Sequence, residues 1–208
     1  MQQVRHRIQA AGGDPAAVRV VAVTKGFGPD AVTAAVAAGL ADVGENYAQE
    51  LVAKAAALPD LPRSVRWHFL GAVQRNKVPA LAPVVACWDS VARLAEGEAI
   101  ARRRPGAEVL VELDLSGAAG RNGCPPADAP ALVAALSDLG LDVRGLMAVA
   151  PLGQPARPAF RAVRELADRL GLPERSMGMT GDLEDAVAEG STMVRVGRAL
   201  FGDRPPRR

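Results

Sequence analysis

The sequence is poor in the residues that build disulfide scaffolds, metal centres and nucleic-acid surfaces. It has two cysteines, Cys87 and Cys124, and two histidines, His6 and His68, among 208 residues. Two such cysteines give no disulfide framework and no ligand spacing, so no metal site is expected and both thiols read as small buried hydrophobes. Aromatic residues are 3% of the chain, too few for a platform that stacks single-stranded bases. Net charge is only +2 against 25 basic and 23 acidic side chains. The arginines are scattered apart from Arg102-Arg103-Arg104 and the tail, so no nucleic-acid partner is expected. No run reaches the roughly 18 uncharged apolar residues of a membrane span. The opening Met1-Gln2-Gln3-Val4-Arg5-His6-Arg7 lacks the apolar core of a signal peptide. The expectation is a cytoplasmic protein with no membrane partner.

Apolar residues make up 49% of the chain, and they come in short runs separated by helical segments. Strand candidates are 18–25, 41–46, 65–71, 84–89, 108–115, 143–150, 175–180 and 193–197. Helix signals fill the gaps. Pro29-Asp30 opens one helix and Gly39 stops it. Phe160, Val163, Ala167 and Leu170 share a helical face that ends at Gly171 and Pro173. Asp182 is a candidate N-cap for a helix ending near Gly190, and Pro79 and Pro83 shorten the helix between the third and fourth strands. Eight β/α units in succession predict a single-domain α/β fold, a closed (β/α)8 barrel of the TIM type. An open doubly wound sheet is the alternative, but no strand is followed by Gly-x-Gly-x-x-Gly. The reading is one domain over 1–208, with an N-terminal helix in 1–17 and an exposed tail at 203–208.

In such barrels chemistry sits at the C-terminal ends of the strands, and phosphate is often held after strands seven and eight. The first strand, rich in β-branched residues, ends on Lys25. A lysine there either marks where the strand meets water or, held against an apolar wall, acts as a nucleophile toward an aldehyde. The seventh strand runs into Gly178-Met179-Thr180-Gly181-Asp182, where glycines, a hydroxyl and a helix start suit an anion. In the eighth, alternation puts Arg195 and Gly197 on one face and Val194 and Val196 on the other. Arg195 would point into the barrel, to meet either a structural ion pair or a polar ligand atom. Closure sets strand eight beside strand one, an arrangement that fits a phosphorylated aldehyde. Asn46 is placed to meet a ring hydroxyl or to make a local turn. His68 reads as a core histidine or a ligand, and Met147 as packing. Gln74-Arg75-Asn76-Lys77 reads as a polar segment at the barrel mouth.

Seven segments carry a family resemblance. They are Val21-Ala22-Val23-Thr24-Lys25, Gly44-Glu45-Asn46-Tyr47, Trp67-His68-Phe69-Leu70-Gly71, Gln74-x-Asn76-Lys77, Arg144-Gly145-Leu146-Met147, Ser176-Met177-Gly178-Met179-Thr180-Gly181-Asp182 and Gly190-Ser191-Thr192-Met193-Val194-Arg195-Val196-Gly197. Spread over residues 20 to 202, they resemble the pyridoxal-phosphate homeostasis proteins (the proline synthase co-transcribed family), similar in fold to the N-terminal barrel of alanine racemase. That resemblance implies pyridoxal 5′-phosphate as cofactor, carried as a Schiff base on Lys25. It places Thr180, Gly197 and Arg198 at the phosphate, the last two through backbone N–H groups, and Arg195 against the pyridine nitrogen. Asn46, His68 and Met147 complete the candidate set.

The family implies a role in vitamin B6 and amino-acid homeostasis without established catalysis, with apo-enzymes that use the cofactor as recipients. A monomer is expected. The alternative is a weak amino-acid racemase. The racemase proper uses a second base, a tyrosine supplied by an additional C-terminal domain, whereas Tyr47 is this sequence's only tyrosine. Departures from the family pattern are Arg198 for threonine, Thr180 for serine, Arg121 for lysine, and a short proline-rich loop at 152–158.

Overall fold

A computed structural model describes residues 1–118 and 120–203. Eight parallel strands close on themselves in chain order: β1 (Arg19–Val23), β2 (Asp42–Glu45), β3 (Arg66–Phe69), β4 (Val85–Val91), β5 (Glu108–Leu113), β6 (Asp142–Ala148), β7 (Glu174–Ser176) and β8 (Met193–Val196). Around them run α1 (Gln2–Ala10), α2 (Pro29–Ala37), α3 (Ala48–Ala57), α4 (Val78–Leu81), α5 (Leu94–Arg103), α6 (Ala129–Asp138), α7 (Ala156–Arg169), α8 (Leu183–Ala188) and α9 (Arg198–Phe201). Each apolar run read from the sequence carries one strand, and the barrel is the closed one expected.

Boundaries differ where local chemistry intervenes. β1 stops at Val23 because Phe27 N–H bonds to Thr24 O at 3.0 Å, closing a turn that holds Lys25. The N-terminal helix ends at Ala10 instead of filling 1–17, since Gly12-Gly13 and Pro15 follow it. α4, with Pro79 in its first turn and Pro83 just beyond it, is a four-residue helix. Asp182 does precede α8, but its carboxylate accepts from Met179 N–H at 2.6 Å rather than capping the helix. Of the predicted tail, Asp203 is exposed and 204–208 lies outside the described residues.

Between strands and helices lies one large apolar layer. α7 contributes Phe160, Val163, Leu166 and Ala167, all buried. Each large apolar side chain removed from water in this way stabilises the fold by about 1.5–3 kcal/mol. Side chains from non-neighbouring strands can meet only inside the barrel, which identifies the inward set. At the N-terminal end, Arg19 of β1 pairs with Glu174 of β7 at 3.0 Å, and Arg66 of β3 pairs with Glu108 of β5. Above them Cys87, Leu110 and Met147 form a small separate apolar cluster. This plug closes the barrel and forms the floor beneath its C-terminal mouth.

Candidate functional site

The mouth holds a cavity of about 1110 Å³, walled by the loops after β1, β2, β6, β7 and β8. Seven of the eight candidate residues line it: Lys25, Asn46, Met147, Thr180, Arg195, Gly197 and Arg198. They come from five segments between positions 25 and 198, and only barrel closure brings them together. The seam is direct, with Val21 opposite Arg195 and Ala22 opposite Val196 in the β1–β8 ladder. Lys25 therefore leaves β1 beside the point where Gly197 leaves β8.

Arg195 is 5% exposed and reaches across the interior. Its Nη1 donates to Ser176 O at 2.6 Å and Ser176 Oγ at 2.8 Å, and its Nη2 to Ala148 O at 2.9 Å. Among the described residues no carboxylate lies within ion-pair distance of it. The expected alternative, a structural ion pair, is not what the side chain makes. Burial pushes its pKa below the ordinary arginine value, against the opposing pull of Asp89, Glu112 and Asp182. A guanidinium held by neutral oxygens at a cavity wall keeps an electrostatic demand that an acceptor in the cavity would meet.

The β7 and β8 loops meet at Thr180, whose Oγ1 accepts from Ala199 N–H at 3.4 Å. Ala199 lies in α9, which starts at Arg198, and the first N–H groups of a helix have no intrahelical acceptor. Gly197 is needed for closeness, because a Cβ there would stand 3.0 Å from Val23 O. Asn46 is fixed through its own backbone: Gly71 packs so tightly that a Cβ on it would come within 1.9 Å of Asn46 O. Met147 joins the cavity wall from the apolar plug.

His68 is the exception. It lies in the fully buried interior, with Nδ1 at 2.8 Å from Asp89 Oδ1 and Nε2 at 2.9 Å from Asp42 Oδ1. Both ring nitrogens are spent on carboxylates, so His68 is removed from the cofactor set. The same pairing occupies the nearest metal-like grouping, His68, Cys87 and Asp89. The 74–77 segment also stays outside the cavity, with Gln74 and Lys77 lining a separate recess of about 70 Å³ beside Tyr47.

Sequence reasoning missed Glu112. It lines the cavity from β5, accepts a hydrogen bond from Asn122 Nδ2, and has its pKa raised by burial against the effects of Asn122 and Arg195. The signal was there in the alternation Glu108, Leu110, Glu112, which puts an acid on the inward face near the end of the strand. The wall at Pro151–Pro155 was legible only as a short loop.

Comparison with known proteins agrees with this geometry. The family model described as alanine racemase, N-terminal domain, matches residues 1–205. A pyridoxal phosphate homeostasis protein of Pseudomonas aeruginosa is 44% identical over 97% of this chain and 91% of its own length. One of Escherichia coli is 35% identical over 98% and 95%. Among solved structures, PipY of Synechococcus elongatus with PLP bound is 35% identical, with a TM-score of 0.84 over 96% of this chain and all of that one. Alanine racemase of Corynebacterium glutamicum shares the fold, with a TM-score of 0.68 at 18% identity over 98% of this chain and 61% of that one. The chain belongs to the alanine racemase N-terminal domain family and, within it, to the pyridoxal phosphate homeostasis proteins.

Proposed function

We propose that this protein binds pyridoxal 5′-phosphate in the barrel-mouth cavity, with Lys25 as its covalent anchor through a Schiff base, and acts in cofactor homeostasis. The observation that carries the reading is the convergence of the Lys25 side chain, the Arg195 guanidinium and the β7–β8 anion turn in one cavity. The residues suit the group. Thr180 Oγ and the backbone of Gly197 and Arg198 would hold the phosphate, Asn46 and Met147 would border the ring, and Arg195 would face the ring nitrogen. When bound, the cofactor supplies an electrophilic carbon conjugated to an electron-accepting ring. Arginine at the ring nitrogen disfavours ring protonation and weakens the electron sink, which suits storage and delivery better than turnover. Racemisation by two bases draws no support from Tyr47, which lines the smaller recess. The same reading takes the chain as one monomeric cytoplasmic domain that hands its cofactor to apo-enzymes.

The test is direct because the chain has three lysines, Lys25, Lys54 and Lys77. The protein loaded with pyridoxal 5′-phosphate is expected to absorb near 420 nm, roughly, and borohydride followed by peptide mapping should place the adduct on Lys25. Lys25→Ala should lose both signals. A colourless protein, or an adduct confined to Lys54 or Lys77, would overturn the assignment.

A further inference from the structure

Beneath the Lys25 turn, on the helix side of the barrel wall, lies a polar cluster that the site itself does not use. Lys54 of α3 is buried, and its Nζ donates to Thr24 O at 2.8 Å and pairs with the Glu45 carboxylate. Glu45, fully buried, also accepts from Thr24 Oγ1 at 2.7 Å. One helical turn before Lys54, Glu50 accepts from Gly26 N–H at 2.9 Å, and its carboxylate stands 3.7 Å from Lys54 Nζ. The peptide groups on both sides of Lys25 are thus held by two side chains spaced i, i+4 on one helix face. Gly26 completes the turn with φ 77°, a left-handed conformation that glycine adopts at little cost.

A buried ion pair is a poor source of stability. Desolvating both charges roughly cancels their attraction, and an apolar pair of similar size would serve the core as well. What such a pair does supply is direction, because its hydrogen bonds admit few geometries. Here those bonds end on the backbone of the turn that carries Lys25. We propose that Glu50 and Lys54 are positioning residues for Lys25, which grip its flanking peptide groups from the outer helix layer and so fix how its amine enters the cavity. The inference rests on the reading of Lys25 as cofactor anchor.

Two measurements separate the failure of one from the failure of the other. The first uses cofactor-free protein and limiting acetic anhydride, with acetylation of Lys25 read by mass spectrometry relative to Lys77. Glu50→Ala, at a partly exposed position, should raise Lys25 labelling because the released turn lets the amine sample solvent. The second is the rate at which added pyridoxal 5′-phosphate forms the borohydride-trapped Lys25 adduct. It should fall about tenfold in Glu50→Ala, less than the roughly 100-fold that a misplacement of about 1 Å can cost. Glu50→Gln keeps an acceptor for Gly26 N–H and should restore most of both values. Lys54→Met should move both readouts in the same directions as Glu50→Ala; should it fail to fold, Glu50→Ala decides alone. A merely loosened fold would raise Lys77 labelling too and would not be rescued by glutamine. Wild-type labelling and wild-type adduct rate in Glu50→Ala overturn the clamp. Failure of the wild type to form the Lys25 adduct overturns the cofactor reading, while the labelling ratio still judges the clamp.

Discussion

His68 offers the sharpest quantitative test of the barrel interior. Its two ring nitrogens face only carboxylate acceptors, Asp89 at 2.8 Å and Asp42 at 2.9 Å, so both must carry protons for both bonds to form. Burial by itself would push the imidazole pKa down. The charge of Asp89 and the hydrogen bonds to Asp42 and Asp89 outweigh that and raise it from 6.5 to about 9. Because the folded-state value lies above the unfolded one, the stabilisation is fully present below pH 6.5 and is lost as pH rises through about 9. At about 1.4 kcal/mol per pH unit, the interval is worth about 3 kcal/mol, a large share of a typical domain's stability. Above pH 9 the buried Cys87 thiol, its pKa pushed up by burial and Asp89, acts in the same direction. Cys87→Ala should therefore flatten only that upper limb. The assay is urea unfolding across pH 6 to 10, roughly, paired with NMR titration of the ring protons. His6 is exposed and is the only other histidine, so assignment is simple. A His68 titration at or below 6.5, or a stability curve flat to pH 9, would refute the charged triad.

Other consequences can be checked separately. Arg195→Leu removes the donors to Ser176 O, Ser176 Oγ and Ala148 O, and is expected to shift the absorption maximum of bound cofactor and weaken its retention. An unchanged spectrum would mean that Arg195 serves the wall and not the ring. Gly71→Ala forces a methyl against Asn46 O and should cost about 1–3 kcal/mol in thermal or urea unfolding; wild-type stability would show that the loop yields freely. Glu112→Gln removes a part-buried carboxylate whose charge holds the Arg195 pKa up, so the pH of an Arg195-dependent spectral change should fall only slightly. A large shift would make Glu112 a partner of the ring site.

Much of the site was legible because β-structure transmits orientation by alternation. Once 193–197 is read as a strand, Arg195 and Gly197 must share a face, and once the barrel closes that face is the interior. The same rule would have found Glu112. His68 obeyed the rule too, since it does point inward, but depth along the strand decided its role. Two residues lower than Leu70, which lines the cavity, His68 meets Asp42 and Asp89 instead of the mouth. No one-dimensional pattern states which inward layer is floor and which is mouth, because layer height depends on the register between strands.

The sequence by itself determined the eight β/α units, the closed barrel and the lysine at the end of its first apolar run, through short-range periodicity and through motifs that survive as continuous strings. Tertiary structure alone decided what surrounds that lysine. Thr24, Glu45, Glu50 and Lys54 are spread over 30 positions, and their hydrogen bonds exist only once α3 packs on β1 and β2. Arg195 could be read as an inward charge, but whether it would meet an acid or neutral carbonyls rested on the side chains and backbone presented by β6 and β7. The physical reason is the same in both cases. Backbone pattern is encoded locally, whereas the pairing of buried polar groups is settled by distances that only the closed barrel creates.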